Sequence, residues 1–292
     1  MIEERVRLSR FTTIGTGGPA RFFVRATTLA ELEEALAWAS ADGLEVAVVG
    51  LGSNLLIADE GVDALVVRLA GELAAVTVEG NLLRAGGGAA NAVCLHRARA
   101  AGLGGFEFAC AIPGTAGGGV RMNAGAYGGE WAAVLERALV VDAHGARWRT
   151  RDELGLAYRR SALRRGDVVA EVEFRLQPRP IEEIKALVAD MQERRKATQP
   201  TNKRTFGSVF KNADGELGAG QMIEACGLKG FRVGGACISR RHANFIENAG
   251  AATSADALAL MVEARHRVRE RFGVELEREV AFLGPLDLPA LE

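Results

Sequence analysis

The apolar positions of this chain keep two rhythms. In "TTLAELEEALAWASADG" (Thr27 to Gly43), Leu29, Leu32, Leu36 and Trp38 fall mostly at helical spacing and Gly43 supplies a stop, so the stretch predicts a helix. "EVAVVG" follows as a buried strand. "DALVVRLA", "LAAVTVEG" and "NLLRAGG" predict further strands with turn residues between them. "AANAVCLHRARAAG" (Ala89 to Gly102) predicts a second helix. Beyond a glycine-rich block from Gly102 to Gly129, "ALVVDAHGARW" predicts a hairpin across His144-Gly145, and "DVVAEVEFRLQP" (Asp167 to Pro178) alternates with the period of a strand.

The pattern changes at "QPRPIEE". Two prolines close the β-rich region, and a charged helix is predicted from Ile181 to about Lys196, so a domain boundary is expected there. The last third predicts helices at Ala219 to Cys226 and Ser254 to Arg271, strand and turn in "GGACISRRHANFIENAG", and a final strand in "LEREVAFLG". Mixed elements without strict strand–helix alternation point to an α+β fold rather than a doubly wound sheet.

Composition narrows the class. A chain of 292 residues, 48% of them hydrophobic, is long enough for two domains and a substantial core. A net charge of −1 excludes a basic nucleic-acid surface over the whole chain. "MIEERVRLSRF" alternates acids and bases, unlike a signal peptide, and no apolar run approaches a membrane span, so membrane insertion is not expected. Cys94, Cys110, Cys226 and Cys237 are far apart and form no Cys-x-x-Cys pair. Neither a metal site nor a disulfide framework is expected, and a reducing cytoplasm is the simplest setting.

The 36 glycines are clustered, and the clusters carry chemistry. In "VAVVGLGSNLLIADEG" (Val46 to Gly61), Gly50 and Gly52 match the start of a dinucleotide fingerprint. Leu55 stands where the third glycine belongs, and a strand and turn follow instead of a helix, so the Rossmann reading fails. Two readings remain: a tight turn, or a nest of backbone N–H groups from Gly50, Gly52, Ser53 and Asn54 converging on an anion. In "CAIPGTAGGGVRMNAGAYGGE" (Cys110 to Glu130), Pro113-Gly114 sets a turn. Gly117, Gly118 and Gly119 leave the backbone bare for a large flat or anionic group, and Asn123, Gly125 and Ala126 repeat the theme. The Walker lysine is missing, which argues against an ATPase. Two such loops suggest one extended cofactor lying between them.

"GLGSNLLIADEG", "IPGTAGGGVRMNAGAYGGE", "YRRSAL", "GSVFKN", "GLKGFRVGGACIS" and "HANFIEN" occur in this order. Together they closely resemble the UDP-N-acetylenolpyruvoylglucosamine reductases, over about residues 12 to 284. The resemblance implies a vanillyl-alcohol-oxidase-like (PCMH-type) FAD-binding fold in two subdomains, residues 1–70 and 71–179, with a C-terminal α+β substrate domain at 180–292. It implies non-covalent FAD, NADPH as co-substrate, a UDP-sugar substrate and a monomer. Flavin positions would be Gly50, Leu51, Gly52, Ser53, Asn54, Leu55, Pro113, Gly114, Thr115, Gly117, Gly118, Asn123, Gly125 and Ala126. Catalytic positions would be Arg159, Ser208 and Glu279; substrate positions would be Lys196, Asn212 and Tyr158.

The residues alone leave blander readings open. Ser208 after a glycine is ordinarily a turn donor, Arg159 sits in the arginine-rich "YRRSALRRG", Glu279 suits a solvated strand end, and Lys196 the exposed end of a charged helix. His242 reads as structural. The chain departs from the family pattern at Phe11, where an Asn is usual, and at Ala213, where many relatives carry Pro. With only Tyr127 and Tyr158 as tyrosines, it resembles the shorter class that lacks a tyrosine lid. Rival readings are an oxygen-using flavin oxidase on the same fold, an inactive flavin- or nucleotide-binding module, and a serine hydrolase.

Overall fold

The computed structural model describes residues 1–213 and 215–288. The chain forms two compact units, neither of them one continuous stretch. Met1–Glu4, Phe22–Leu51 and Ala64–Arg195 make the first; Arg5–Arg21, Gly52–Asp63 and Lys196–Glu292 make the second.

The first unit is built on a five-stranded antiparallel sheet in the order Gly145–Thr150, Leu135–Asp142, Val168–Arg175, Leu82–Gly86, Val76–Glu79. Its central strand is the predicted "DVVAEVEFR". A register shift opposite Leu139 and Val140 swaps the faces of that strand, so it feeds two cores. Val168 and Ala170 pack with Leu32 and Leu36 of the Leu29–Ala41 helix, while Val172 and Phe174 pack with Trp131 and Phe106. The predicted hairpin is present one residue earlier than expected. Asp142 pairs with Gly145, and the Asp142 carboxylate accepts the His144 N–H at 2.8 Å, placing Ala143 and His144 in the turn. Ile184 and Val188 of the Ile181–Thr198 helix join this unit's core, so the unit runs past the proline pair to Arg195.

The glycine-rich block, expected to be loop, contains a helix at Ala116–Met122. Its three glycines disfavour helix, and packing overrides them. Gly119 lies against the fully buried Trp131 indole so closely that a Cβ would come within 2.3 Å of the ring.

The second unit has a four-stranded antiparallel sheet in the order Thr205–Ser208, Phe245–Asn248, Ala236–Ile238, Arg232–Val233. Helices Ala219–Ala225 and Ser254–Phe272 share a core with it through Phe206, Ile238, Met222 and Leu260. Ile14 and Leu56 belong to that core, and Leu55–Ile57 pairs in parallel with Ala281–Leu283. This is why two N-terminal segments cluster with the last third of the chain. The Asp59 carboxylate accepts the N–H groups of Ser254 and Ala255 at 2.9 and 3.0 Å, capping the long helix from a distant loop. The predicted final strand is short, confined to Ala281–Leu283. Among the described residues no helix is long and apolar enough to cross a membrane, no His/Cys/Asp/Glu group is placed to hold a metal ion, and all four cysteines are free.

Candidate active site

The Gly50–Leu55 loop passes from the first unit to the second between Leu51 and Gly52, and each half is fixed within its own unit. Gly50 lies beside Thr115, whose Oγ1 would be 2.6 Å from any Cβ added there. Leu51 is exposed. Gly52 has φ +64°, and a Cβ on it would meet the Phe11 carbonyl at 2.0 Å, so only glycine fits. Thr13 donates its N–H to the Gly52 carbonyl at 3.2 Å and its hydroxyl to the Thr205 carbonyl at 2.6 Å. Phe11 therefore contributes its backbone here, which any residue supplies. The Asn54 amide donates to the Glu279 carbonyl at 3.2 Å, and Ala281 donates to the Asn54 carbonyl at 3.0 Å. The Ser53 carbonyl faces Gly207, and Leu55 opens a strand.

The second loop is held by a segment that sequence reasoning passed over. Gly87 accepts the Gly117 N–H at 2.9 Å, and Ala89 accepts the Ala116 N–H at 2.8 Å. Asn91, 1% exposed, donates its main-chain N–H to Gly114 and its side-chain amide to Ile112, both at 3.0 Å. The signal was the run Gly86-Gly87-Gly88, which reads as a strand end. So braced, Pro113 and Gly118 present exposed backbone. Among the described residues the N–H groups of Gly114 and Thr115 have no protein acceptor. Two free donors beside a surface bare of side chains fit the anionic, extended middle of a dinucleotide. Gly117 is buried with its N–H committed to Gly87, so it serves packing against Val169.

Asn123 is fully buried with φ +38°. Its Oδ1 accepts the Ala132 N–H at 2.9 Å and its Nδ2 donates to the Ala157 carbonyl at 3.1 Å. The side chain is thus spent on the protein and fixes the turn that follows. Ala157 and Arg160 bond reciprocally at 3.0 Å, leaving Tyr158 and Arg159 as the two turn residues. Arg159 has φ +53°, a conformation costing an L residue about 1 kcal/mol that persists only where surroundings impose it. Its guanidinium donates to the Gly125 carbonyl at 2.8 Å and lies 5.0 Å from the Tyr158 ring. Gly125-Ala126 pairs with Gly129-Glu130 in a hairpin whose turn is Tyr127-Gly128, both at positive φ. Burial pushes the Tyr127 hydroxyl upward, with Arg195 pulling it the other way, a pairing the sequence did not disclose.

In the second unit the Glu279 backbone is bonded to the residue that follows Ser208. Ser208 ends its strand immediately after a bulge, with Thr205 opposite Glu247 and Ser208 opposite Phe245. Gly207 in that bulge has φ +83°. Both Ser208 and Glu279 are half-buried, and the Val209 carbonyl accepts the Glu279 N–H at 2.8 Å. Lys211, next along, donates its N–H to the Glu277 carbonyl at 2.9 Å and pairs its ammonium with the Glu277 carboxylate. Asn212 is exposed, and its Oδ1 accepts the Ala219 N–H at 3.1 Å, one oxygen used as a helix cap. Lys196 and Tyr158 are exposed. His242 is half-buried, its pKa depressed by burial and then by Lys229; its Nδ1 accepts the Asn244 N–H at 3.2 Å, consistent with the expected structural role.

Fold and bare-backbone loops together fit an FAD-binding protein, and residues 20–151 match the FAD binding domain. Residues 199–283 match the C-terminal domain of UDP-N-acetylenolpyruvoylglucosamine reductase. The UDP-N-acetylenolpyruvoylglucosamine reductase 2 of Symbiobacterium thermophilum is 46% identical over 95% of this chain and 90% of its own. The UDP-N-acetylenolpyruvoylglucosamine reductase of Anaeromyxobacter dehalogenans is 45% identical over 94% and 83%. The crystal structure of the Thermus caldophilus UDP-N-acetylenolpyruvylglucosamine reductase superposes with a TM-score of 0.86 at 39% identity, covering 97% of this chain and all of that one. The chain belongs to the UDP-N-acetylenolpyruvoylglucosamine reductase family.

Proposed function

We propose that this protein reduces the enolpyruvyl ether of UDP-N-acetylglucosamine enolpyruvate to UDP-N-acetylmuramate, in peptidoglycan precursor synthesis in the cytoplasm, with NADPH as reductant. The Gly50–Leu55 and Pro113–Ala126 loops would hold FAD non-covalently, and the bound flavin would supply hydride transfer from NADPH to the terminal carbon of the enolpyruvyl group. The chain's own residues do the rest. As that carbon is reduced, negative charge develops on its neighbour and the adjoining carboxylate. Arg159, always charged and planar, stabilises it. Glu279, as a neutral carboxylic acid, donates a hydrogen bond to the enolate, and the Ser208 hydroxyl delivers the proton to carbon. Lys196, Asn212 and Tyr158 hold the UDP-sugar, and no tyrosine lid covers it. The protein acts as a monomer, with subdomains 1–70 and 71–179 binding flavin and 180–292 binding substrate.

The observation that supports this reading is the joining of Ser208 to Glu279 through Val209, which puts a hydroxyl and a carboxyl group on adjacent, paired backbone. The test is a spectrum. The purified protein, reconstituted with FAD, is treated anaerobically with NADPH and then with the enolpyruvyl UDP-sugar. A flavin band that bleaches with the first and returns with the second supports the reading; a band that never returns with the sugar defeats it.

A further inference from the structure

We propose that Asn244 is a positioning residue for Ser208: its side-chain amide stands in for a missing peptide group and fixes the backbone on which the serine is carried. The inference rests on the role given to Ser208 above. Asn244 is 4% exposed and lies just before the Phe245–Asn248 strand. Its Oδ1 accepts the Phe210 N–H at 3.0 Å, and its Nδ2 donates to the Phe210 carbonyl at 2.8 Å. Its main-chain carbonyl accepts the Val209 N–H at 2.9 Å. Three hydrogen bonds from one residue therefore seize the two residues that follow Ser208.

The need for such a clamp follows from the local backbone. Regular pairing between the two strands ends at Ser208, opposite Phe245, and it ends on a bulge. A bulge re-aims the side chain beside it, and an unsupported one leaves that aim loose. Past the bulge the backbone pairing on the Phe245 side continues for one bond, from the Val209 N–H to the Asn244 carbonyl, and the Asn244 side chain takes over at Phe210. Its amide offers an acceptor and a donor on one edge, as a paired strand residue offers its own carbonyl and N–H. On the opposite side, the Val209 carbonyl takes the Glu279 N–H at 2.8 Å, and Phe210 bridges Arg278. Val209 is thus held by its N–H to Asn244 and by its carbonyl to Glu279. The Asn244 side chain is not a proton donor to substrate: a carboxamide N–H is too weak an acid, and its Oδ1 and one Nδ2–H are taken by Phe210. Its effect reaches the reaction only through Ser208.

The test is a double-mutant cycle on the holoenzyme, read by stopped-flow as two separate rates: flavin reduction by NADPH, and flavin reoxidation by the enolpyruvyl UDP-sugar. Asn244→Ala is expected to leave the first within about twofold and to slow the second at least ~10-fold. Ser208→Ala slows the second further, and the double variant is expected to be no slower than Ser208→Ala alone, since a misaimed serine no longer matters once its hydroxyl is gone. Additive losses in the double variant, or equal slowing of both half-reactions by Asn244→Ala, would overturn the positioning role while leaving Ser208 as proton donor. If Ser208→Ala reoxidises at the wild-type rate, the role of Ser208 fails and the inference goes with it. Should Asn244→Ala not retain FAD, Asn244→Ser leaves a smaller neutral polar group there and breaks the two-point hold on Phe210. The same cycle with that variant is expected to show an equally non-additive loss.

Discussion

Ser208 and Glu279 are tied through a single peptide unit: the carbonyl of Val209, which follows the serine, accepts the main-chain N–H of the glutamate at 2.8 Å. The backbones that carry the two side chains are thereby fixed relative to each other. In the roles proposed above, groups carried this way need no backbone rearrangement as charge develops. Ser208→Ala is accordingly expected to keep FAD and its reduction by NADPH, and to lower turnover of the enolpyruvyl substrate roughly 100- to 10,000-fold, the range for loss of a general acid. Unchanged turnover would exclude the proton-donor role.

Arg159 sets chemistry against stability. Its backbone is left-handed, so Arg159→Gly relieves about 1 kcal/mol of strain while removing the guanidinium. The expected outcome is a melting temperature equal to or above wild type together with loss of turnover. Arg159→Lys keeps the charge, loses the planar fork and keeps the strain, and is expected to be intermediate in turnover with no gain in stability. A glycine variant that is both active and less stable contradicts the account.

Gly43 and Gly52 share φ +64° yet differ in surroundings. A Cβ on Gly43 meets nothing within 4 Å, whereas one on Gly52 meets the Phe11 carbonyl at 2.0 Å. Alanine at Gly43 is expected to cost only the left-handed penalty, about 1 kcal/mol. Alanine at Gly52 is expected to cost more and to lower the FAD content of the purified protein, which absorbance per chain would measure. Equal behaviour of the two variants would mean that the collision is relieved without disturbing the loop.

Cys94 is fully buried, and desolvation pushes its thiol from the ordinary 9.0 up to about 12. The folded-state value is raised, so the neutral thiol stabilises the native state in full below pH 9.0. That stability is lost as pH rises towards about 12, because the unfolded chain releases its proton first. Between these limits the melting temperature of the wild type is expected to fall faster with pH than that of Cys94→Ala. In native protein at mildly alkaline pH, the same thiol is expected to resist alkylation until unfolding. Parallel pH profiles for the two proteins would refute it.

The parts legible in the sequence were those governed by local periodicity. The Leu29–Ala41, Ile181–Thr198 and Ser254–Phe272 helices and the Val168–Arg175 strand each carry their own pattern. The Ala116–Met122 helix does not, since its stability comes from Trp131 packing on Gly119, which no local propensity records. The clustering of Arg5–Arg21 with the C-terminal third depends on Ile14 sharing a core with Phe206 and Leu260, again a distant fact. Ser208, Arg159 and Glu279 are singled out only by the family resemblance, because each alone has a commonplace alternative. Asn91 and Asn244 escaped notice because a buried asparagine bonded to remote backbone looks, in sequence, like any polar residue at the edge of an element.

The parallel pairing of Leu55–Ile57 with Ala281–Leu283 also bears on how the chain is made. During synthesis the Leu55–Ile57 segment leaves the ribosome early, yet its only strand partner among the described residues is the last strand to emerge. Until then Leu56 has no completed core to enter, and loop closure across so much chain is slow. The second unit therefore closes only after residue 283 has emerged. Its nascent N-terminal segments wait, exposed, for the far end of the same polypeptide, and they are where a chaperone has the longest time to bind.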